Sequence, residues 1–515
     1  MAPPHEKLAR SLAALRELQE RGRRVFRSHE ISRVHRERLL RNGFLQEVIN
    51  GWVISCDPGV RAGDSTPWYA SFWEFCARYC GKRFGDRWHL SPEHSILIEA
   101  ENTVVPSQVI VYSPGGTNNN VALPFGTSLY DLKQPRMPPA ADLLEKEGLR
   151  LFSPPAAMVR IPEAFFAAHP IEAQVVLASV RDASELLRRL LDGGHSVVAG
   201  RLAGAFRRIG RPEVADDIVA ATKAAGYDVR ESDPFAGRQA LAPVAPAAAP
   251  IVGRVRAMWE TMRGKVLEVL PKSPGLPQDS DAYLRFVDEI YHSDAYHSLS
   301  IEGYRVSAEL IERVRAGNWD PDRHEADRRS RDALAARGYW QAFQAVRANV
   351  GEILAGTNPG RLARVAHRDW YRELFQPCVL AGLIAPSALA GYRNQPVYLR
   401  TSRYVPPRWE AARDAVPALF DLLENEPEPA VRAVLGHWLF GYVHPYPDGN
   451  GRMARFLMNA MLASGGYPWT VVRVEDRTAY LAALDRASID MEIGPFAGFL
   501  AERVEWSMER TKPEG

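Results

Sequence analysis

His444-Pro-Tyr-Pro-Asp448-Gly449-Asn450-Gly451-Arg452-Met-Ala-Arg455 is the stretch from which both the fold and the chemistry of this chain can be predicted. Apolar, helix-compatible sequence flanks it on both sides, at 431–443 and 453–462. The pattern therefore predicts two helices joined by a short polar loop. A residue that can accept a proton, a carboxylate, a glycine-flanked turn and two permanent cations together suit a polyphosphate ligand, so we predict a nucleotide site.

Each residue type in this loop has a chemical reason to be there. His444 can act as a general base near neutral pH. Asp448 supplies the hard oxygen ligand that Mg²⁺ prefers. Glycines around Asn450 let backbone N–H groups approach an anion, and a helix that starts at Arg452 adds its own N-terminal N–H groups. Two further residues are the cationic phosphate ligands: Arg452 and Arg455. His437, on the helix predicted to precede the loop, is expected to have a structural role.

Composition indicates a multidomain protein without membrane spans. The chain has 515 residues, an apolar fraction of 46%, a charged fraction of 24% and a net charge of +2. That length exceeds what one hydrophobic core supports. No apolar run reaches the roughly 18 to 20 residues of a membrane span, and the N-terminus lacks a signal-peptide core, so a cytoplasmic location is expected. Cys76 and Cys80 are interpreted as buried thiols because no second cysteine pair lies nearby.

The first sixty residues predict a winged helix-turn-helix. Residues 6–19 have an amphipathic pattern, Ser28 and Ser32 can cap short helices at 28–31 and 33–41, and Asn50-Gly51 separates two strand-like runs. Between residues 21 and 41 there are eight arginines and two glutamates. We therefore predict a DNA-binding domain whose second motif helix presents four residues to the major groove: Arg33, His35, Arg36 and Arg38. A solvated arginine-rich helix in a protein-binding domain is the alternative.

Residues 67–235 are predicted to form an α+β domain. We expect a helix at 68–80, strands at 95–98 and 109–112, a polar turn at 114–120, and helices between 170 and 224. The turn lacks the Gly-Lys-Ser/Thr ending of a P-loop, so it has no predicted nucleotide role. An Ala/Pro-rich segment, 236–251, is predicted to be a semi-rigid linker. Helices are expected from 252 to the end, interrupted by a short β-hairpin at 392–407.

The loop resembles the signature of the Fic family, His-x-Phe-x-(Asp/Glu)-Gly-Asn-Gly-Arg-x-x-Arg, and the resemblance covers about residues 282–505. Gly391 to Leu399 resembles the start of that family's β-hairpin flap, and Arg477-Thr-Ala-Tyr480-Leu481 its helix beside the nucleotide. The resemblance implies transfer of AMP from ATP to a protein Ser, Thr or Tyr hydroxyl, with His444 as base, Asp448 holding Mg²⁺, and Asn450 and the loop amides on the phosphates. It also implies that four flap residues align the protein substrate: Leu399, Arg400, Thr401 and Ser402.

Two positions depart from this family pattern. Tyr446 stands where the family usually has Phe, and its hydroxyl needs a hydrogen-bond partner. Ser488 stands where many relatives carry Asn near the adenosine.

Ser298-Leu-Ser-Ile-Glu302-Gly303 is similar to the Fic inhibitory motif, (Ser/Thr)-x-x-x-Glu-(Gly/Asn). The resemblance implies that Glu302 pairs with Arg455 and occupies the arginine that would hold the γ-phosphate. The alternative is an ordinary helix end with Gly303 as its C-terminal cap.

Residues 10–230 resemble AbiEi-type antitoxins, transcriptional regulators in which a winged helix precedes a mixed domain. The resemblance implies operator DNA binding, and the whole chain would then be a toxin-like transferase coupled to its own transcriptional control. The predicted fold is thus a winged helix, an α+β domain and a mostly α Fic domain with a β-hairpin flap.

Alternative activities remain open at this point. Glu302 could position a water for removal of AMP from a modified protein. A regulator whose Fic domain senses nucleotide, or transfer of phosphate or phosphocholine, would use the same loop. Both kinds of domain often dimerise, so a homodimer is an option that the sequence leaves open.

Overall fold

The computed structural model describes residues 3–59, 63–235, 249–317 and 330–510. The chain divides into two compact units: residues 1–250 with 398–405, and residues 251–397 with 406–515. In the described ranges no helix is long and apolar enough to cross a membrane. Residues 236–248 of the predicted linker lie outside those ranges, and the helix that follows begins at Pro250.

The first unit begins with a small three-stranded antiparallel sheet covered by two helices. The elements are α1 (Pro4–Leu18), β1 (Val25–Arg27), a 3₁₀ turn (Ser28–Glu30), α2 (Arg33–Arg41), β2 (Leu45–Ile49) and β3 (Trp52–Ser55), with sheet order β1-β3-β2. Ser32 caps α2 by accepting from the His35 N–H. Asn50-Gly51 turns β2 into β3, with Gly51 at φ 84°. Here the sequence prediction of α2 and of the hairpin is confirmed.

A mixed sheet and a helical layer complete the first unit. The elements are α3 (Thr66–Phe84), β4 (His89–Leu90), α4 (Pro92–Glu99), β5 (Gln108–Ser113), β6 (Asn119–Ala122), β7 (Ser128–Lys133), β8 (Leu143–Lys146), β9 (Leu149–Phe152), α5 (Pro154–Arg160), α6 (Glu163–Ala168), α7 (Pro170–Ser179), α8 (Ser184–Asp192), α9 (Ser196–Arg208) and α10 (Pro212–Ala224). The sheet order is β4-β5-β7-β6, and β5 pairs with β7 in parallel. Aromatic residues of α3 fill the core below the sheet.

The predicted strand at 95–98 is wrong, because these residues lie in α4. Ser91 accepts from the His94 N–H, and Pro92 occupies the first helical turn. Ser95 donates its hydroxyl to the Ser91 carbonyl and accepts from the Phe152 N–H. Helix-start signals therefore outweigh the β propensity of the two isoleucines in this run.

Helices are the main regular elements of the second unit in the part of it that the structure describes. Its helices are α11 (Pro250–Val269), α12 (Ser280–Ile301), α13 (Ala308–Arg315), α14 (Arg331–Leu354), α15 (Pro359–Leu380), α16 (Trp409–Asn425), α17 (Pro429–Val443), α18 (Asn450–Ala463), α19 (Arg477–Ile489) and α20 (Gly494–Arg510). Apolar residues bury α17 and α18 on nearly all sides. Helices buried on nearly all sides lie in the centre of a domain, so these two hold the loop between them at a well-supported position.

The predicted β-hairpin at 392–407 is also wrong. This fully described segment contains no ladder between its two arms, and its one β-bridge joins Tyr404 to Val104 of the first unit. Three prolines in the segment lack the N–H that a ladder needs (Pro396, Pro406 and Pro407). The chain at 399–402 is a turn in which the Ser402 N–H donates to the Leu399 carbonyl at 3.4 Å.

Candidate functional site

The loop at 444–449 reverses the chain between α17 and α18 through two left-handed residues. His444 has φ 51° and ψ 59° and ends α17, and Gly449 has φ 79° and precedes α18. A left-handed conformation is costly for a residue with a side chain, so the position of His444 depends on the contacts around it.

Asn450 holds the loop in shape through two hydrogen bonds to Tyr446. Its side-chain oxygen accepts from the Tyr446 N–H at 3.0 Å, and its side-chain nitrogen donates to the Tyr446 carbonyl at 2.8 Å. The side chain is buried. Asn450 was expected to contact phosphate, but its side-chain amide bonds the backbone of the loop instead, and the loop geometry depends on it.

His444 is set up as a neutral base. Its Nδ1 lies 3.1 Å from the Gly441 carbonyl, so Nδ1–H donates there and Nε2 carries the lone pair. Burial lowers the pKa of His444 to about 4, because desolvation disfavours the imidazolium more than the Gly441 hydrogen bond and nearby carboxylates favour it. At neutral pH the ring is therefore unprotonated and can accept a proton.

Neither Gly449 nor Gly451 has room for a side chain. A Cβ on Gly449 would stand 2.7 Å from the ring of Phe375, and one on Gly451 would stand 2.4 Å from Oε1 of Glu302. Contacts this short would force one partner to move. Gly451 is thus the reason that a carboxylate can approach the start of α18.

Arg452 is buried between two aromatic rings. Its guanidinium carbon lies 5.3 Å from the centroid of Tyr304 and 5.1 Å from that of Phe375. Its Nε has no hydrogen-bond partner among the described residues. A buried guanidinium with an unused donor is suited to an anionic ligand.

Arg455 is buried and is hydrogen-bonded to Ser298 of α12 and to Glu302 directly after that helix. Its Nε donates to the Ser298 hydroxyl at 2.9 Å, and its Nη2 donates to the Ser298 carbonyl at 3.1 Å and to Oε1 of Glu302 at 2.7 Å. Burial raises the pKa of Glu302, but the charges of Arg455 and Arg452 outweigh that effect, and the net pKa is lowered. The carboxylate is therefore ionised beside the arginine that was expected to hold phosphate.

Gly303 ends α12 in a Schellman motif. Its N–H donates to the Ser300 carbonyl, and the Tyr304 N–H donates to the Leu299 carbonyl, with Gly303 at φ 87°. The helix end that the sequence analysis treated as an alternative to an inhibitory motif is present together with the Glu302–Arg455 pair. The turn makes Glu302 the C-cap residue, directly after the last helical position, and its carboxylate bonds Arg455 of α18.

Asp448 is the one carboxylate of the loop that could bind a Mg²⁺ ion. Asp448 is exposed, and its Oδ1 accepts from the Gly449 N–H at 2.6 Å while lying 3.8 Å from Arg452 Nη2. The described residues contain no group of three or more His, Cys, Asp or Glu side chains that could hold a metal. Magnesium is commonly bound through one or two carboxylates plus substrate phosphates and water, so Asp448 fits that role.

The helix α19 supports the site from behind. The Tyr480 hydroxyl is hydrogen-bonded to Nε2 of His437 at 2.8 Å, and burial lowers the pKa of this histidine to about 3. Its structural role stays a prediction. The Ser488 hydroxyl donates to the Leu484 carbonyl and accepts from Trp438 Nε1. Leu481 is exposed. The expected contacts of Tyr480, Leu481 and Ser488 with nucleotide remain predictions.

Three features of the site were missed by sequence reasoning. The Tyr339 hydroxyl donates to Asp294 at 2.5 Å, one turn before Ser298, and burial raises the pKa of Asp294 to about 6. Arg477 donates to the Ile301 carbonyl at the end of α12. Arg393 donates its Nε to the His444 carbonyl at 2.7 Å. Arg393 and Arg477 lie in stretches that resemble the Fic family, but the carbonyls that they reach are distant in the sequence, and Asp294 lies outside those stretches.

The four expected flap residues lie in the first unit. The Val105 N–H donates to the Arg403 carbonyl at 2.9 Å, Arg400 Nε lies 3.5 Å from Asp64, and the Arg24 guanidinium lies over the ring of Tyr398. The segment 398–405 is therefore paired by backbone hydrogen bonding within the first unit.

The residues expected to contact DNA are mostly turned inward. Arg38 donates to the Lys7 carbonyl and to Ser11, His35 bonds Ser11, and Arg36 donates to the Ser28 carbonyl. Arg33 is exposed and pairs with Glu37. The prediction that α2 presents all four residues is corrected, since three of them brace α2 against neighbouring backbone and α1.

Part of this chain is similar to known proteins. Residues 362–462 match the Fic/DOC family. The protein adenylyltransferase Fic of Nematostella vectensis is 27% identical over 50% of this chain and 57% of its own length. The protein adenylyltransferase fic-1 of Caenorhabditis elegans is 33% identical over 23% of each chain. A solved fragment of Fic-1 from C. elegans is 20% identical, covers 68% of this chain and 97% of that chain, and has a TM-score of 0.38.

Proposed function

Residues 362–462 form a Fic domain, and we propose that this chain is a protein adenylyltransferase held inactive by Glu302. The curated relatives that it matches are named protein adenylyltransferases, and the chain spans about half of the length of the first of them. The observation that carries the proposal is the ionised Glu302 on Arg455, next to a neutral His444 in a complete loop.

The proposed reaction joins a protein hydroxyl to the α-phosphorus of ATP. His444 Nε2 takes the hydroxyl proton, the oxygen forms a bond to the α-phosphorus, and the bond from that phosphorus to the bridging oxygen breaks, releasing pyrophosphate. Arg452 and the first N–H groups of α18 face the charge that develops on the phosphate oxygens. Mg²⁺ held by Asp448 would neutralise phosphate charge.

Inhibition follows from competition for Arg455. With Glu302 bonded to Nη2 and Ser298 to Nε and Nη2, this guanidinium has few donors left for a γ-phosphate. A terminal phosphate would also meet the Glu302 charge at the start of α18, because Gly451 admits that carboxylate closely. ATP would then bind with its α-phosphorus out of line with the hydroxyl, and transfer would be slow.

The test is Glu302→Gly, which we expect to raise self-modification with Mg-ATP at least about tenfold, since removal of one misaligning contact commonly changes rates by that order. Intact-mass spectrometry distinguishes added AMP from added phosphate or phosphocholine. Glu302→Gly combined with His444→Ala is the blank. Glu302→Gln is the matched control, because it removes the charge but keeps the side-chain volume. No mass increase in Glu302→Gly would contradict the proposal.

For the N-terminal half we propose operator DNA binding, supported by the α1–β1–α2–β2–β3 order and the exposed Arg33. Arg33 and Arg41 are the exposed arginines of α2, at its first and last positions. An electrophoretic shift with the DNA upstream of the gene should therefore weaken in Arg33→Ala/Arg41→Ala. Arg36→Ala/Arg38→Ala should instead lower thermal stability, because both side chains donate to backbone carbonyls. A shift unaffected by the first pair would remove α2 as the DNA-contacting helix.

A further inference from the structure

A cavity of about 760 Å³ opens on the side of the catalytic loop, within the second unit. Its walls come from α15, from the chain at 387–397 and from the loop itself. The arginines and two of the tyrosines that line it are Arg368, Tyr371, Arg372, Arg393, Arg413 and Tyr446.

The charge of this cavity is one-sided. Its lining residues include four arginines and no aspartate or glutamate. Arg368 lies over the ring of Tyr392 and Arg413 over that of Trp409, while Arg372 makes an exposed pair with Asp369. An exposed ion pair is weak and easily exchanged. Concave walls with one sign of charge attract the opposite charge, so the cavity favours an anion.

The Tyr446 hydroxyl is the second observation that points to a ligand. Tyr446 is fully buried, and its hydroxyl has no hydrogen-bond partner among the described residues. Its ring stacks on Tyr371 with 3.9 Å between centroids. Burial raises the pKa of this hydroxyl, and the charges of Arg368 and Arg372, which line the same cavity, act against that rise. A buried donor without a partner is unfavourable until an acceptor arrives.

Arg393 connects the cavity to the catalytic loop. Arg393 is buried and lines the cavity. Its Nε donates to the His444 carbonyl at 2.7 Å and its Nη1 donates to the Gln395 carbonyl at 3.2 Å, so its side chain is held in place. A group bound here would therefore lie next to the backbone that carries His444.

We propose that this cavity binds a carboxylate-bearing side chain of the protein substrate, with the Tyr446 hydroxyl and Arg372 as its donors. The cavity is many times larger than one carboxylate, and the chain at 387–397 forms one of its walls, so a peptide segment fits it better than a single ion. The inference rests on the proposed function for the identity of the ligand as substrate. The protein should therefore prefer substrates that have acidic residues near the modified hydroxyl.

The test uses two synthetic peptides of equal length with an electrically neutral fluorophore, one containing several glutamates and the other glutamines at the same positions. Fluorescence anisotropy with the full chain, without ATP, should show the glutamate peptide binding at least about tenfold more tightly. Arg372→Gln should remove most of that difference, and Tyr446→Phe should reduce it about threefold or more. Arg361→Gln is the matched control, because Arg361 is an exposed arginine of the same helix that pairs with Glu424.

Equal binding of the two peptides would overturn the proposal. So would an equal loss in Arg361→Gln and Arg372→Gln, which would indicate general attraction to a basic surface. Displacement of the peptide by inorganic phosphate at concentrations below the peptide's own dissociation constant would assign the cavity to a small free anion and overturn the assignment to substrate. Since binding is measured without ATP, a chain that binds the glutamate peptide but never gains AMP would contradict the proposed function and leave the cavity assignment standing.

Discussion

His444 illustrates how desolvation decides the state of one residue. The charges of Glu302 and Asp448 and the hydrogen bond to Gly441 favour the imidazolium, whereas burial and the charge of Arg393 oppose it. Burial is the largest effect, so the pKa falls to about 4. The base is then available over the whole physiological pH range.

A pH profile tests this state. A general base works only when unprotonated, so transfer by the Glu302→Gly variant should stay nearly constant from about pH 8 to about pH 5 and decline as the pH falls through about 4. Initial rates of AMP incorporation at saturating ATP give the profile. Circular dichroism at each pH checks that the chain remains folded. An acid limb near the ordinary histidine pKa of 6.5 would contradict the assignment.

At the scale of single elements, α12 has two functions at its C-terminal end. The Schellman motif satisfies its last carbonyls, and the same turn holds Glu302 toward Arg455. Gly303 makes both possible, because its φ of 87° is a conformation that other residues adopt only at a cost.

Gly303→Ala should therefore weaken inhibition without any steric clash, as an added Cβ there meets no atom within 4 Å. The left-handed conformation costs a residue with Cβ about 1–2 kcal/mol, so the free energy of unfolding should fall by about that amount, and AMP transfer should rise above that of the native chain. Denaturant unfolding and intact-mass spectrometry measure the two effects.

Gly498→Ala is the control for that substitution. Gly498 lies within α20, and a Cβ there also meets no atom within 4 Å. Alanine should raise stability there by up to about 1 kcal/mol and leave transfer unchanged. If Gly303→Ala lowers stability and transfer stays at the native level, the helix end does not control Glu302.

At the scale of the whole molecule, the unusual feature is that residues 398–405 belong to the first unit although the sequence on both sides belongs to the second. Tyr404 is buried and forms the β-bridge with Val104, and Val405 packs on the core below the mixed sheet. The turn that was expected to align the protein substrate is thus held by backbone pairing.

Tyr404→Ala should destabilise the first unit. Truncating a buried aromatic residue costs about 3–5 kcal/mol, so hydrogen exchange, followed by mass spectrometry, should speed up in peptides from residues 63–235 and in 398–405. Phe456→Ala, which removes a buried ring from α18, is the matched substitution for the second unit. Faster exchange in residues 406–510 and not in 63–235 after Tyr404→Ala would show that the segment is anchored elsewhere.

The chemistry of the loop and several local elements could be predicted from the sequence because their signals lie within a few residues of each other. The loop residues 444–455 are contiguous, Ser32 caps the helix that starts next to it, and Asn50-Gly51 sits between the strands that it joins. The strand predicted at 95–98 failed because the capping signals at Ser91 and Pro92 were not weighed against the isoleucines.

By itself, the sequence determined which residue types the site contains and that a helix lies on each side of the loop, since apolar periodicity, caps and glycines act locally. The starts were missed by two residues, because α17 begins at Pro429 and α18 at Asn450. Only the tertiary structure decided what those residues touch. Glu302 and Arg455 are 153 positions apart, and Arg38 meets the Lys7 carbonyl 31 positions away. Packing brings distant polar groups together, and each buried donor must then find an acceptor. For this reason the Asn450 side chain bonds the loop backbone, Arg36 and Arg38 bond backbone carbonyls, and the segment 398–405 pairs with Val104.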